Sequence, residues 1–151
     1  MIVDRVDRDG DLLRLVARAR ASEGWCPRCG AASTRVHGRY RRRLVDTAIA
    51  GSRVVLELLV RRFRCAAEDC EAVRFTEQVE GLTSPHSRYT PLARRMCEAI
   101  GLALAGRAGA RLANQLGVTV GRDTLLSRVR GLPDPQIGAV TVLGVDLSGV
   151  A

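Results

Sequence analysis

The sequence contains no lysine: all 24 of its cations are arginine, set against 16 acids for a formal charge of +8. An anionic partner is the simplest account of that excess. Aromatic residues are also scarce, with one Trp, two Tyr and two Phe. This argues against the multi-ring platform on which single-stranded nucleic acid stacks. Long apolar runs are missing as well. The longest charge-free apolar stretches, residues 99–106 and 135–145, fall far short of the roughly 20 residues that span a bilayer, so no membrane partner is expected. Near the N-terminus stand Asp4, Asp7, Asp9 and Asp11 in place of the positive region and apolar run of a secretory signal. A cytoplasmic location is therefore expected, where five cysteines read as metal ligands or free thiols before disulfides. What the chain does have is a globular balance, 46% hydrophobic and 26% charged, in 151 residues, enough for one ordinary domain or a few small ones.

The patterning predicts an α+β chain: an N-terminal β-hairpin and zinc ribbon, then a three-helix helix-turn-helix segment and one terminal strand. Residues 1–22 read as the hairpin, with Asp9-Gly10 at its turn and Leu13, Leu15, Ala17 and Ala19 on one face of the return strand. A second hairpin spans 35–64 and turns at Ala50-Gly51-Ser52, and a short strand follows near 73–79. Together these place the ribbon in 23–80. From Thr90-Pro91, a capping residue and a first-turn proline, the period becomes helical. Leu92, Met96, Ala99, Ile100 and Ala103 mark a first helix to about residue 104, with further helices expected at 107–116 and 122–129. This helical segment covers 88–131. Residues 132–139, stiffened by Pro133 and Pro135, form a linker, and 140–151 open with an apolar run expected to be a buried strand.

The sharpest chemical signal is Cys26-Pro-Arg-Cys29-Gly30 followed by Cys65 and Cys70. A C-x2-C pair on a tight turn aims two thiolates at one point, and a hairpin that brings a second pair alongside completes a tetrahedral zinc site. The second pair is C-x4-C, looser than usual. A redox C-x-x-C would need a βαβ context, which the basic, strand-like residues after Cys29 do not offer. Cys97, on the first helix, reads as a small buried hydrophobe. His37 is not required once four thiols close the shell, and His86 reads as exposed or a phosphate contact. Zinc on four thiolates lowers the net charge by two, to about +6.

Arginine is concentrated in residues 35–74, which hold ten against five acids. Arg39, Arg41, Arg42 and Arg43 form one run and Arg61, Arg62 and Arg64 the other. Guanidinium groups on a β-ribbon clamp phosphates bidentately, so double-stranded DNA is the expected partner. The alternative is a strand edge protected by charge. Residues 107–130 have a helix-turn-helix pattern. Ala113 sits at the helix crossing, Leu116 in the core and Gly117 at the turn, while Arg122, Asp123, Thr124, Ser127 and Arg128 are exposed on the second helix. An ordinary helical hairpin with charged faces is the competing reading.

The order CPRCG, VHGRYRRRLVD, LLVRRFRC, RFTEQV, GLALAGRAGARLANQLG with GRDTLL, and VLGVD resembles the N-terminal half of bacterial insertion-sequence transposases of the ISL-three type, over about residues 24–146. The resemblance implies a zinc ribbon and helix-turn-helix that bind the terminal inverted repeats in DNA transposition, with Cys26, Cys29, Cys65 and Cys70 as ribbon ligands. It implies a chain in the bacterial cytoplasm, associated with the nucleoid. A second copy of the chain or the intact transposase is the protein partner it suggests. It also aligns Asp146 with the first catalytic aspartate of an RNase-H-like domain, whose two metal ions, Mg2+, would serve only the intact transposase. Here the chain departs from the family, continuing Leu147-Ser148-Gly149-Val150-Ala151 where a further acid and an aromatic are usual. Two-metal chemistry needs several converging carboxylates, and after Leu132 only Asp134 and Asp146 remain. The expectation is therefore a truncated, catalytically inert DNA-binding fragment. Its alternatives are a zinc-ribbon transcription regulator or RNA-binding module unrelated to transposition, and an enzyme acting through reactive thiols.

Overall fold

The computed structural model describes residues 1–134. The expected strand at 140–145 and Asp146 lie outside the described residues. Strands β1 (Ile2–Asp9) and β2 (Leu12–Arg18) form an antiparallel hairpin, turning at Gly10 with φ 57°. Two-residue strands β3 (Gly24–Trp25) and β4 (Ala32–Ser33) make a small separate sheet. The long hairpin of β5 (Val36–Ile49) and β6 (Ser52–Arg64) closes on Ala50 and Gly51, both at positive φ, as a tight two-residue hairpin turn demands. The five-stranded sheet runs β1-β2-β6-β5, with β7 (Arg74–Thr76) also antiparallel to β6. Its one parallel pairing, β2 with β6, places Leu15 beside Leu56 and Ala17 beside Leu58. The two N-terminal hairpins thus share one sheet.

Strand alternation sorts the sheet into two faces. On one, Ala17, Leu44, Leu56, Leu58 and Val60 are buried, with Val79 and Leu82 packed over them. The other carries Glu57 and the basic residues that surround it. At the ribbon end this second face is covered instead by β3, where Phe63 and Phe75 stack at 5.5 Å between centroids. Gly24 is required there, since a Cβ would stand 2.7 Å from the Phe63 ring.

The described residues are mostly sheet, with two helices in place of the expected three. Helix α1 (Pro91–Gln115) runs through the expected first break with a kink at Ala105 (φ 53°, ψ −151°), and α2 is Arg122–Arg130. The reason lies in the packing. Gly101, Gly106 and Gly109 line the seat of α2, their missing Cβ atoms leaving room for Val129, Arg122 and Leu125 at 2.6–2.8 Å. These glycines lie on both sides of the kink, so one partner helix holds the two segments together and no loop forms between them. The expected apolar stripe holds only at Met96 and Ile100. Leu92 is 52% and Leu116 48% exposed, whereas Ala93, Cys97, Ile100, Ala113, Val118, Val120 and Leu125 form the helical core. Thr90 caps α1 by accepting from Ala93 N–H at 3.2 Å and joins it to the sheet by donating to Asp46 at 2.6 Å. Backbone bonds from Val45 N–H to Arg88 O (2.8 Å) and from Thr90 N–H to Val45 O (3.0 Å) complete the junction.

Candidate metal centre and nucleic-acid interface

The knuckle between β3 and β4 carries Cys26 and Cys29. Cys26 N–H donates to Ala31 O and Gly30 N–H to Cys26 O, both at 2.9 Å, and Gly30 turns the chain at φ 72°. The second pair follows the end of β6. Cys65 N–H donates to Val73 O at 3.1 Å, closing a loop that returns Cys70 toward the knuckle. Buried Ser33 ties the halves together by donating to Arg64 O at 2.6 Å. The looser C-x4-C spacing is absorbed by this loop.

All four sulfurs lie within 4.8 Å of one another, with Cys29 Sγ to Cys65 Sγ at 3.5 Å and Cys26 Sγ to Cys70 Sγ at 3.8 Å. A tetrahedron with zinc–sulfur bonds of about 2.3 Å needs sulfurs about 3.8 Å apart, so the donor set fits zinc. The acid–base chemistry agrees. Backbone N–H groups of Cys29 and Arg28 bring Cys26 down to about 7. The Ala72 N–H favours the Cys70 thiolate, but burial and the neighbouring thiols, Cys29 first, outweigh it and push Cys70 up to about 12. A cation among the four sulfurs would favour their thiolates. Cys97 is apart from this cluster, buried in the helical core, where burial raises its thiol.

The four thiols, with the long basic hairpin between their two pairs, make a zinc ribbon. Residues 22–70 match the zinc-finger of transposase IS204/IS1001/IS1096/IS1165. The matched span contains all four thiols and closes on Cys70, so the similarity lies in the metal-binding module. No curated protein and no solved structure matches the chain. No helix of the described residues is long and apolar enough to cross a membrane.

The arginines singled out in the sequence fall into different settings. Arg42 is turned inward, donating to Ser84 O and to Ser87 O at 2.7 Å, and so fastens the loop over the sheet. Arg61 is also internal, bound to Glu77, Ala21 O and Ser22 O. Arg41 and Arg43, with Arg14, surround buried Glu57 at 3.8, 2.9 and 3.6 Å. Arg39, Arg62 and Arg64 are exposed, and the Arg62 guanidinium lies 4.9 Å over the Tyr40 ring. Strand pairing adds two residues that the sequence runs did not include. Arg74 stands opposite Arg64, and His37 is lowered first by Arg74, then by burial and by Arg64 and Arg62. Charge runs along the chain could not reveal them, because they meet only through the pairing of β6 with β5 and β7.

On α2, Arg122 pairs with Asp123 at 2.8 Å and Arg128 lies 5.1 Å over the Tyr89 ring. Asp123, Thr124, Ser127 and Arg128 line a shallow cleft of about 430 Å3 together with Arg94. His86, at φ 59°, is exposed beside Arg88.

Proposed function

We propose that this chain is the zinc-dependent DNA-binding portion of a transposase, recognising the terminal inverted repeats of an insertion sequence. The observation that carries this reading is the coincidence of the transposase zinc-finger match with the four-thiol geometry over the same residues. The metal fixes the ribbon, whose strands display guanidinium groups suited to phosphate. Helix α2 offers Arg122, Thr124 and Arg128 toward base edges, seated on α1 by the three glycines. Among the described residues, the cysteines are the one cluster of three or more metal-ligating side chains. Asp146 enters as a candidate for a catalytic part that would use Mg2+.

The test is a gel shift of the purified, zinc-loaded chain on duplexes carrying the element's terminal repeats and on scrambled duplexes of equal length. Preferential binding that a chelator abolishes is expected. Equal binding to both duplexes would remove the sequence-specific role.

A further inference from the structure

The two faces of the sheet hold most of their arginines in opposite electrostatic settings, with exposed Arg39, unpaired among the described residues, as the exception on the Glu57 face. On the face of Glu57, Arg14, Arg41 and Arg43 share that buried carboxylate, and Arg18 pairs with Asp4 at 3.0 Å. On the other face, beyond the patch sealed by Val79 and Leu82, Arg62, Arg64 and Arg74 gather near His37. Arg64 and Arg74 are directly opposed across β6 and β7, an arrangement that destabilises a sheet when the charges are alike. Among the described residues none of these three arginines has an ion-pair partner. Two neighbouring recesses meet at Thr76, one of about 240 Å3 beside Arg62 and Arg74 and one of about 580 Å3 that leads past Tyr40 to His86 and Arg88, with Arg41 and Arg43 also at its border.

We propose that this strip, from Arg64 and Arg74 through Arg62 and Tyr40 to His86 and Arg88, is the surface that follows the phosphate backbone of duplex DNA, and that the Glu57 face is not. The proposal rests on the DNA-binding reading above and names the face that performs it. Three features of the strip favour a polyanion over a single small anion. Its cations are spread along the two recesses and do not converge on one point. Residues Arg62 and Arg64, two apart on one strand face, are separated by about 7 Å, comparable to the spacing of successive phosphates on a strand. The Tyr40 ring under Arg62 holds that guanidinium in place without neutralising it.

The experiment compares two triple variants of the full chain by fluorescence anisotropy on labelled duplex across a salt series. Zinc content and circular dichroism confirm that each is folded. In R62A/R64A/R74A the slope of log affinity against log salt should fall by about 2–3, at about 0.9 per lost phosphate contact, with affinity down at least tenfold. In R14Q/R18Q/R39Q, which removes the same charge from three arginines of the Glu57 face that line neither recess, the slope should change by less than about one. Equal losses in both, or a larger loss in the second, overturn the proposal. If the first variant does not fold, R74A alone should lower the slope by about one, and an unchanged slope overturns the proposal. A wild-type chain that binds no duplex at all defeats the DNA reading separately. The strip is then read by adding inorganic polyphosphate and following the His37 ring resonances by NMR: movement retains it as an anion surface, and its absence removes it.

Discussion

Arg61 and Glu77 form a two-pronged ion pair inside the ribbon end of the sheet. The Arg61 Nε donates to Glu77 Oε2 at 3.1 Å and its Nη2 to Oε1, with 18% and 4% of the two side chains exposed. The same guanidinium reaches back to Ala21 O at 2.6 Å and Ser22 O at 3.0 Å. One arginine in the middle of a basic run therefore ties the segment between β2 and β3, β6 and the segment after β7 together.

Replacing Arg61 by alanine should accordingly act on stability. Removing it strands a buried carboxylate and three or more hydrogen bonds, a loss of about 3 kcal/mol. Denaturant melts of R61A should show this, and R61K should rescue little of it, because an ammonium cannot reproduce the fork. A melt indistinguishable from wild type, with weakened DNA binding, would return Arg61 to the phosphate-contact set.

Metal removal should divide the molecule. The ribbon core around the thiols is small, with Cys26, Phe63 and Phe75 buried in it, and depends on the ion. The helical core is built from other residues. Chelation should therefore expose Cys26, Cys29, Cys65 and Cys70 to alkylation while Cys97 stays protected until the helices melt. Mass spectrometry after a brief pulse of iodoacetamide reads the count directly. The C26S variant should behave like the chelated protein without chelator.

Glu57 should act as the brace of three guanidinium groups. Neutralising it by Glu57→Gln leaves Arg14, Arg41 and Arg43 repelling one another, and because those arginines are 40–73% exposed the expected loss is modest, about 1–2 kcal/mol. Added salt should recover part of it by screening. Thermal melts of E57Q at low and high salt check both the size and the sign of the salt response.

The glycine seat should tolerate no side chain. A Cβ on Gly109 would stand 2.6 Å from Leu125 Cδ2 and one on Gly101 2.6 Å from Val129 Cγ2, so G109A should destabilise the helical unit by about 1–3 kcal/mol. The better intrinsic helix propensity of alanine should not compensate. Hydrogen exchange would show faster opening of α2 with the ribbon amides unchanged.

Much of the site was legible from local pattern. The C-x2-C-G turn, the looser second pair and the β-prone hairpin between them are short-range features, and they were enough to assemble the four ligands. Strand alternation in β6, with Leu56, Leu58 and Val60 on one side, was likewise plain, because a period of two needs no knowledge of the partner strand. The helical part was less legible. Counting apolar residues at helical spacing found Ile100 and Met96 but also Leu92, and the helix-turn-helix pattern placed Leu116 in the core, yet Leu92 and Leu116 are exposed. The contacts that matter there are glycines, which carry no hydrophobic signal and acquire meaning only when α2 lies on them.

The sequence by itself determined the metal ligands, the strand alternation and the excess of arginine, since each follows from residue type and short spacing. Tertiary structure alone decided the fate of each arginine. Whether a guanidinium is spent on a carbonyl, as for Arg42, on a carboxylate 16 residues away, as for Arg61, or left beside another arginine, as for Arg64 and Arg74, depends on strand register. Electrostatic interaction falls off with distance in space, and distance in space is what the chain sequence does not state.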